Sequence, residues 1–334
     1  MKFGPVPVAE AEGAILAHSV KLPEGRLRKG VVLDATHLAQ LRAAGVNDVT
    51  VARLEAGDLH EDEAARRLAH ALVPDPEAVH LTLTEAFTGR VNLIAAREGV
   101  VDLDVAAIEA FNAVHPMITI ATVPRFQQME TGGMVATIKI ISYGVAARDV
   151  AAAAQAAPAS ISLVAPVMRR AGLIITDIPG GPSNDKGQRA IEHRVTALGL
   201  EMAETRIVPH DTAALAQALE GLAGDIALIL TGSATSDMAD VAPEAVRRAG
   251  GRVDRFGMPV DPGNLLFIGS QGGRPVIGLP GCARSPALNG ADWVLSRVVC
   301  GIEVSPGDIA GMGVGGLLKE IPSRPQPRAG RKKA

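Results

Sequence analysis

From residue 160 onward the apolar positions fall in short continuous runs, each followed by a polar, glycine-rich loop and then by helical periodicity. Unbroken apolar runs mark strands covered on both faces, the pattern of a parallel sheet with helices packed on either side. One unit runs from Gly172-Leu173-Ile174-Ile175-Thr176 through Pro179-Gly180-Gly181-Pro182-Ser183-Asn184-Asp185-Lys186-Gly187 into a helix over 188–198. A second runs from Ile226-Ala227-Leu228-Ile229-Leu230 through Thr231-Gly232-Ser233-Ala234-Thr235-Ser236-Asp237-Met238-Ala239-Asp240 into a helix begun by Pro243. A third runs from Pro275-Val276-Ile277-Gly278-Leu279 through Pro280-Gly281-Cys282-Ala283-Arg284-Ser285 into a long helix from Pro286, with Ser285 as its N-cap. In an open parallel sheet ligands bind beyond the carboxyl ends of the strands, so these loops are expected to gather there and form the pocket.

The first 159 residues are less regular. A helix over 36–44 stops at Gly45 ahead of a strand over 48–52, and Glu61–Leu72 reads as a helix with Ala64, Ala65, Leu68, Ala69 and Leu72 on one face. Carboxylates fill its first turn, where the helix dipole favours them. After the break Pro74-Asp75-Pro76, strands over 79–83, 91–94, 118–123 and 135–143 surround a helix over 105–111, and an Ala-rich connector spans 146–159. The predicted fold is α/β: a parallel sheet with helices on both faces, preceded by smaller mixed α+β domains. The expected divisions are 1–75, 76–159 and 160–318, with a disordered basic tail over 319–334.

A chain of 334 residues exceeds what one core usually organises, which agrees with several domains. Aromatic residues make up only 2%, so rings for stacking bases are scarce, and a net charge of -3 gives no field for a phosphate backbone; nucleic-acid binding is not expected. Two cysteines, Cys282 and Cys300, are too few for a disulfide framework or a thiolate metal site, and the eight histidines show no ligand spacing. The opening residues lack the apolar run of a signal peptide and no stretch is long enough to span a membrane, so a cytoplasmic location is expected.

Glycine-rich loops that run into helix starts place free amide N–H groups and the positive end of a helix dipole at one spot, which suits an anion; parallel sheets also need such turns for purely structural reasons. Three of them in one domain, each rich in Ser, Thr, Asn or Asp, point to a polyoxygenated anionic ligand. Gly311-Met312-Gly313-Val314-Gly315-Gly316 follows no strong strand and leaves too little chain for a dinucleotide site, so it reads as a loop. Glu55, Asp58, Glu61, Asp62 and Glu63 read as a solvated helix start rather than a metal site. Asp211 either caps the helix Thr212–Leu219 or faces the ligand loops. Asp237 and Asp240, in an anion loop, imply either a bridging divalent cation or structural caps.

The segment 172–300 resembles the molybdopterin-binding domain of molybdenum-cofactor biosynthesis enzymes, especially the molybdopterin molybdotransferases. Thr231 to Asp240 looks like that family's Thr-Gly-Gly-x-Ser-x-Gly-x-x-Asp loop, and Asp261-Pro262-Gly263-Asn264-Leu265 looks like its Lys-Pro-Gly-Lys-Pro. Gly278-Leu279-Pro280-Gly281-Cys282-Ala283-Arg284-Ser285 looks like Gly-Leu-Pro-Gly-Asn-Pro-Val-Ser, Val208-Pro209-His210-Asp211 like Val-x-Asp-Asp, and Ser183-Asn184 like part of Asp-Ser-Asn. Weaker likenesses to N-terminal parts lie at Gly13 to His18, Lys29-Gly30 and Gly45-Val46. The resemblance implies that Ser183, Asn184, Lys186, Thr231, Gly232, Ser233, Thr235, Pro262, Gly263, Pro280, Gly281, Arg284 and Ser285 hold a pterin carrying a dithiolene and a phosphate. It further implies Mg2+ on Asp240 and Asp237, molybdate as substrate, and Asp240 with Asp211 as the catalytic carboxylates.

Departures from the family pattern change the charge of the site. Ser233 and Asp237 replace glycines, and both lysines of Lys-Pro-Gly-Lys-Pro are absent, being Asp261 and Asn264. Arg284 and Lys186 either restore a phosphate contact or face solvent. Two readings follow: a molybdopterin-binding protein of cofactor biosynthesis or handling, with molybdate insertion as its catalytic form, and a non-catalytic scaffold that keeps the fold without the ligand. The resemblance implies a homodimer, with a nucleotidyltransferase or a maturing molybdoenzyme as partner; similar chains form the front half of nucleotidyltransferase fusions.

Overall fold

The computed structural model describes residues 1–318; the tail expected over 319–334 lies outside the described residues. The chain divides into two compact units, residues 1–97 with 101–164, and 98–100 with 165 onward.

Within the first unit the helix Ala35–Ala43 is closed by Gly45, whose φ of 73° is open to glycine at little cost. It packs Leu38 and Leu41 against Leu16, Val49 and Val51 in a small core. The helix Glu61–Leu72, expected to close a domain at residue 75, instead joins the core that follows it. Its buried face, Ala64, Ala65, Leu68, Ala69 and Leu72, packs with strands Arg90–Ala95 and Met134–Ile140 and with helix Ala147–Ala156. The reason is a pairing from far along the chain: strand Asp58–His60, just before the helix, lies antiparallel to Gly144–Ala146. No helix among the described residues is long and apolar enough to cross a membrane.

The second unit is the predicted α/β sheet. Its elements are β1 (Arg170–Asp177), α1 (Asn184–Thr196), β2 (Glu201–Pro209), α2 (Thr212–Leu219), β3 (Ile226–Leu230), α3 (Val241–Arg248), β4 (Arg252–Phe256), β5 (Phe267–Gln271), β6 (Arg274–Leu279), α4 (Gly290–Val299) and α5 (Pro306–Gly311). The strand order is β2-β1-β3-β6-β5-β4, with β2, β1, β3 and β6 parallel and the β5–β4 edge antiparallel. Alternate residues of the same apolar run go to opposite faces. Leu173 and Ile175 join Ile191, Val195, Val294 and Leu295 of α1 and α4, while Ile174 joins Leu215, Leu219, Ala242 and Val246 of α2 and α3. This is why the strands read as continuous hydrophobic runs.

Two helix starts differ from expectation. α3 begins at Val241 under an Asp240 cap, two residues before Pro243. The long helix expected from Pro286 begins at Gly290: Gly281–Arg284 is a 3-10 turn, Pro286 to Leu288 remain non-helical, and the N-cap is Asn289, not Ser285. Asn289 and Asp292 form a reciprocal capping box that satisfies two amide groups at once, which Ser285 cannot do because Leu288 would stand at its N3 position.

Candidate functional site

The chain leaves β1 toward β2 on one side and returns to β3 on the other, so the crevice between the carboxyl ends of β1 and β3 is the topological switch point of the sheet. The first, second and third expected loops all open at this end, and because β5 runs antiparallel to β6, the 257–266 segment that feeds it lies there too.

At the floor of the crevice sits Thr176, the fully buried penultimate residue of β1. Its Oγ1 accepts the Gly232 amide at 2.8 Å and lies 2.9 Å from His210 Nδ1. A Cβ at Gly232 would come within 2.6 Å of the Thr176 carbonyl oxygen, so only glycine lets the second loop approach β1 this closely. Thr231 and Thr235 are buried in the same loop, and Thr231 Oγ1 donates to the Ser233 carbonyl at 2.6 Å, while Ser233 itself is exposed.

The first loop meets the second through Arg284. Its Nη1 donates to the Ser183 carbonyl and its Nη2 to the Thr231 carbonyl, each at 3.1 Å, and the residue is only 8% exposed. The alternative of a solvent-facing charge is thereby overturned for Arg284, whereas Lys186 is exposed on the first turn of α1. Ser183 caps α1 by accepting the Lys186 amide, and Asn184 Nδ2 donates to Asp177 Oδ1 at 2.7 Å. Burial pushes the Arg284 guanidinium below its ordinary value, and the Asp177 carboxylate opposes that shift.

Arg194, which the sequence reading passed over, fixes the third loop. It is 7% exposed and donates to Asp292 Oδ1 at 2.6 Å and to the carbonyls of Ala190, Ala283, Ser285 and Ala287. The available signal was its place in the buried stripe Gly187, Ala190, Ile191, Val195 of α1, where an arginine must find acceptors. Pro280 is buried and Gly281 exposed in this loop; Ser285 is half-buried, with its Oγ accepting the Ala287 amide. Pro262 and Gly263 are buried and tied to the same region, since the Pro262 carbonyl accepts the Gly290 amide at 2.9 Å.

The carboxylates stand apart from this cluster of loop contacts. Asp211 Oδ1 accepts the amides of Ala213 and Ala214 as the N-cap of α2. Both Asp240 oxygens accept amides, from Val241 and Ser236, and Asp237 Oδ1 accepts from Ala239. No group of three or more His, Cys, Asp or Glu able to hold a metal occurs among the described residues. In the structure Asp240 caps α3, and Asp237 accepts an amide within its own loop. Asp211→Ala is expected to cost about 1 kcal/mol in urea unfolding, while Asp211→Asn, an equally good cap, stays near wild type; equal losses in both would contradict the capping role.

A cavity of about 510 Å³ in the first unit, lined by Asp102, Arg125 and Ser160 among others, has its cation already neutralised, because Arg125 pairs with Asp102 at 2.8 Å and lies over the Phe126 ring.

Residues 169–297 match a family described as "Probable molybdopterin binding domain", and residues 5–53 match a domain of unknown function (DUF8806). No curated protein matches the chain. Among solved structures, similar chains include a molybdopterin biosynthesis MoeA protein from Pyrococcus horikoshii, at 16% identity over 89% of this chain and 75% of that one, with a TM-score of 0.31. Others are a molybdenum cofactor biosynthesis protein from Pyrococcus furiosus (13% identity, 91% and 66% covered, TM-score 0.25) and the molybdopterin biosynthesis enzyme MoaB from Thermus thermophilus (22%, 46% and 100%, TM-score 0.29). The domain match falls on the same segment as the loop motifs. The likeness to that domain is thus confined to residues 169–297 of the second unit.

Proposed function

We propose that the protein acts in molybdenum cofactor biosynthesis by binding molybdopterin in the crevice between β1 and β3 and holding it for a partner enzyme. The observation that carries this reading is the meeting of the 178–183 and 231–236 loops over a buried arginine at the switch point, within the segment that matches the molybdopterin-binding domain. The ligand's phosphate would lie against the amides of the first turn of α1 and the second loop, where helix dipole and free N–H groups favour an anion. Asp211, Asp237 and Asp240 each accept backbone amides as caps or loop contacts, and holding the pterin requires no catalytic carboxylate. A holder of this kind hands the pterin on, which fits a nucleotidyltransferase or an apo-molybdoenzyme as partner.

The test is to denature purified protein, oxidise what it releases and record pterin fluorescence and mass, alongside thermal unfolding with added molybdopterin. Wild-type protein is expected to release a pterin or to gain thermal stability from it, and Gly232→Asp to lose both, since its side chain would drive into the β1 carbonyl and add a negative charge beside the phosphate. No pterin and no thermal shift would favour the scaffold reading.

A further inference from the structure

Among the described residues of the second unit two guanidinium groups are buried, and the fold treats them differently. Arg194, at 7% exposure, has a carboxylate and four carbonyls as acceptors. Arg284, at 8% exposure, has two carbonyls, both neutral, and its Nε has no partner. A guanidinium carries five N–H donors and stays charged at physiological pH, so Arg284 is a buried cation with most of its donors unmatched. Its location adds to the deficit. A Cβ at Gly187 would lie 2.5 Å from Arg284 Nη1, which places the guanidinium against the first turn of α1, where the helix end is itself partially positive. Asp177, the carboxylate that attracts Arg284, already accepts from Asn184 Nδ2. A fold able to satisfy Arg194 completely, yet leaving a second cation half-bonded at a helix N-terminus, has a place for an anion that arrives from outside.

We propose that Arg284 is the buried cation of an oxoanion subsite, completed by a phosphate monoester group seated at the N-terminal turn of α1 between the 178–183 and 231–236 loops. The inference rests on the crevice being the ligand site of the proposed function, and it is independent of the rest of the ligand being a pterin. Exposed Lys186 on the same turn supplies a second positive charge at the rim. The same group could arrive on molybdopterin, on a nucleoside monophosphate or as free phosphate, and the chemistry of recognition is shared.

The experiment follows unfolding of the full chain through Trp293, which stands in α4, in phosphate-free buffer and with inorganic phosphate, AMP or molybdopterin, using sodium chloride to match ionic strength. Wild-type protein is expected to be stabilised by phosphate, and Arg284→Met to show apparent phosphate affinity weakened about tenfold or more. In phosphate-free buffer Arg284→Met is expected to unfold no more easily than wild type, because an apolar side chain replaces a buried charge that makes no direct ion pair. Arg284→Lys falls between. An arginine that served only as a strut between the two loops would behave otherwise: Arg284→Met would be less stable, or unable to fold, in both buffers, and any phosphate increment would survive in Arg284→Lys unchanged. That result, or wild-type protein indifferent to phosphate, overturns the inference. Molybdopterin binding that persists in Arg284→Met overturns it while leaving the proposed function standing. Phosphate or AMP binding through Arg284 without molybdopterin binding upholds it and removes the pterin.

Discussion

Replacing Arg194 by methionine is expected to lower the unfolding free energy of the second unit by about 3–5 kcal/mol, the usual result of removing one partner from a buried ion pair. The loss has two sources. Asp292, with a side chain only 15% exposed, keeps its charge and loses its cation. The carbonyls of Ala283, Ser285 and Ala287 lose the donor that pulls the third loop into its non-helical path. Urea unfolding followed by the fluorescence of Trp293, the chain's single tryptophan and the immediate neighbour of Asp292, reads this unit directly. Arg194→Lys should recover little, because a single ammonium cannot reach acceptors spread over five residues. Adding Asp292→Asn to Arg194→Met should return part of the loss by removing the stranded charge. A single-variant effect below about 1 kcal/mol would mean that the pair barely exceeds its own desolvation cost and that the loop is held by other contacts.

The architecture of this unit was legible because the strands are covered on both faces, so that burial is written as unbroken apolar runs; Ile226–Leu230 and Thr212–Leu219 appear at the expected bounds. The loops were legible as tight turns into helix starts because glycine, serine and aspartate cluster there. Long-range pairing was not. Nothing local to Glu61–Leu72 says that Asp58–His60 will pair with a strand beyond residue 140, so a local reading places the helix with the residues before it rather than with those after. The start of α4 was missed for a related reason. Ser285-Pro286 is a good local helix signal, but Arg194, almost a hundred residues earlier, holds the Ser285 and Ala287 carbonyls outside the helix, and the capping box at Asn289 and Asp292 wins. Charged residues were the hardest to place. Sequence leaves open whether a loop arginine faces solvent or core, and whether an aspartate beside a ligand loop binds a cation or caps a helix. In each case the answer depends on which backbone amides and carbonyls the fold brings within reach.

The same dependence makes Thr176 the sharpest probe of the ligand loop. Thr176→Val keeps the volume of the side chain and removes its hydroxyl, leaving the Gly232 amide buried without an acceptor, at an expected cost of about 1–3 kcal/mol. Since a Cβ at Gly232 would already clash with the Thr176 carbonyl, the loop packs too tightly against β1 for a water to replace the hydroxyl in place. The loop must instead shift outward from the end of β1, and the ligand contacts proposed for it shift with it. Phosphate and molybdopterin should therefore bind more weakly to Thr176→Val than its stability loss alone accounts for. Thr176→Ser, which keeps the hydroxyl and sheds a methyl group, separates the two contributions: it should lose some packing energy yet bind like wild type. If serine and valine impair ligand binding equally, the Gly232 amide is not what the hydroxyl holds in position, and the second loop takes its shape from Arg284 and the Thr231 carbonyl instead.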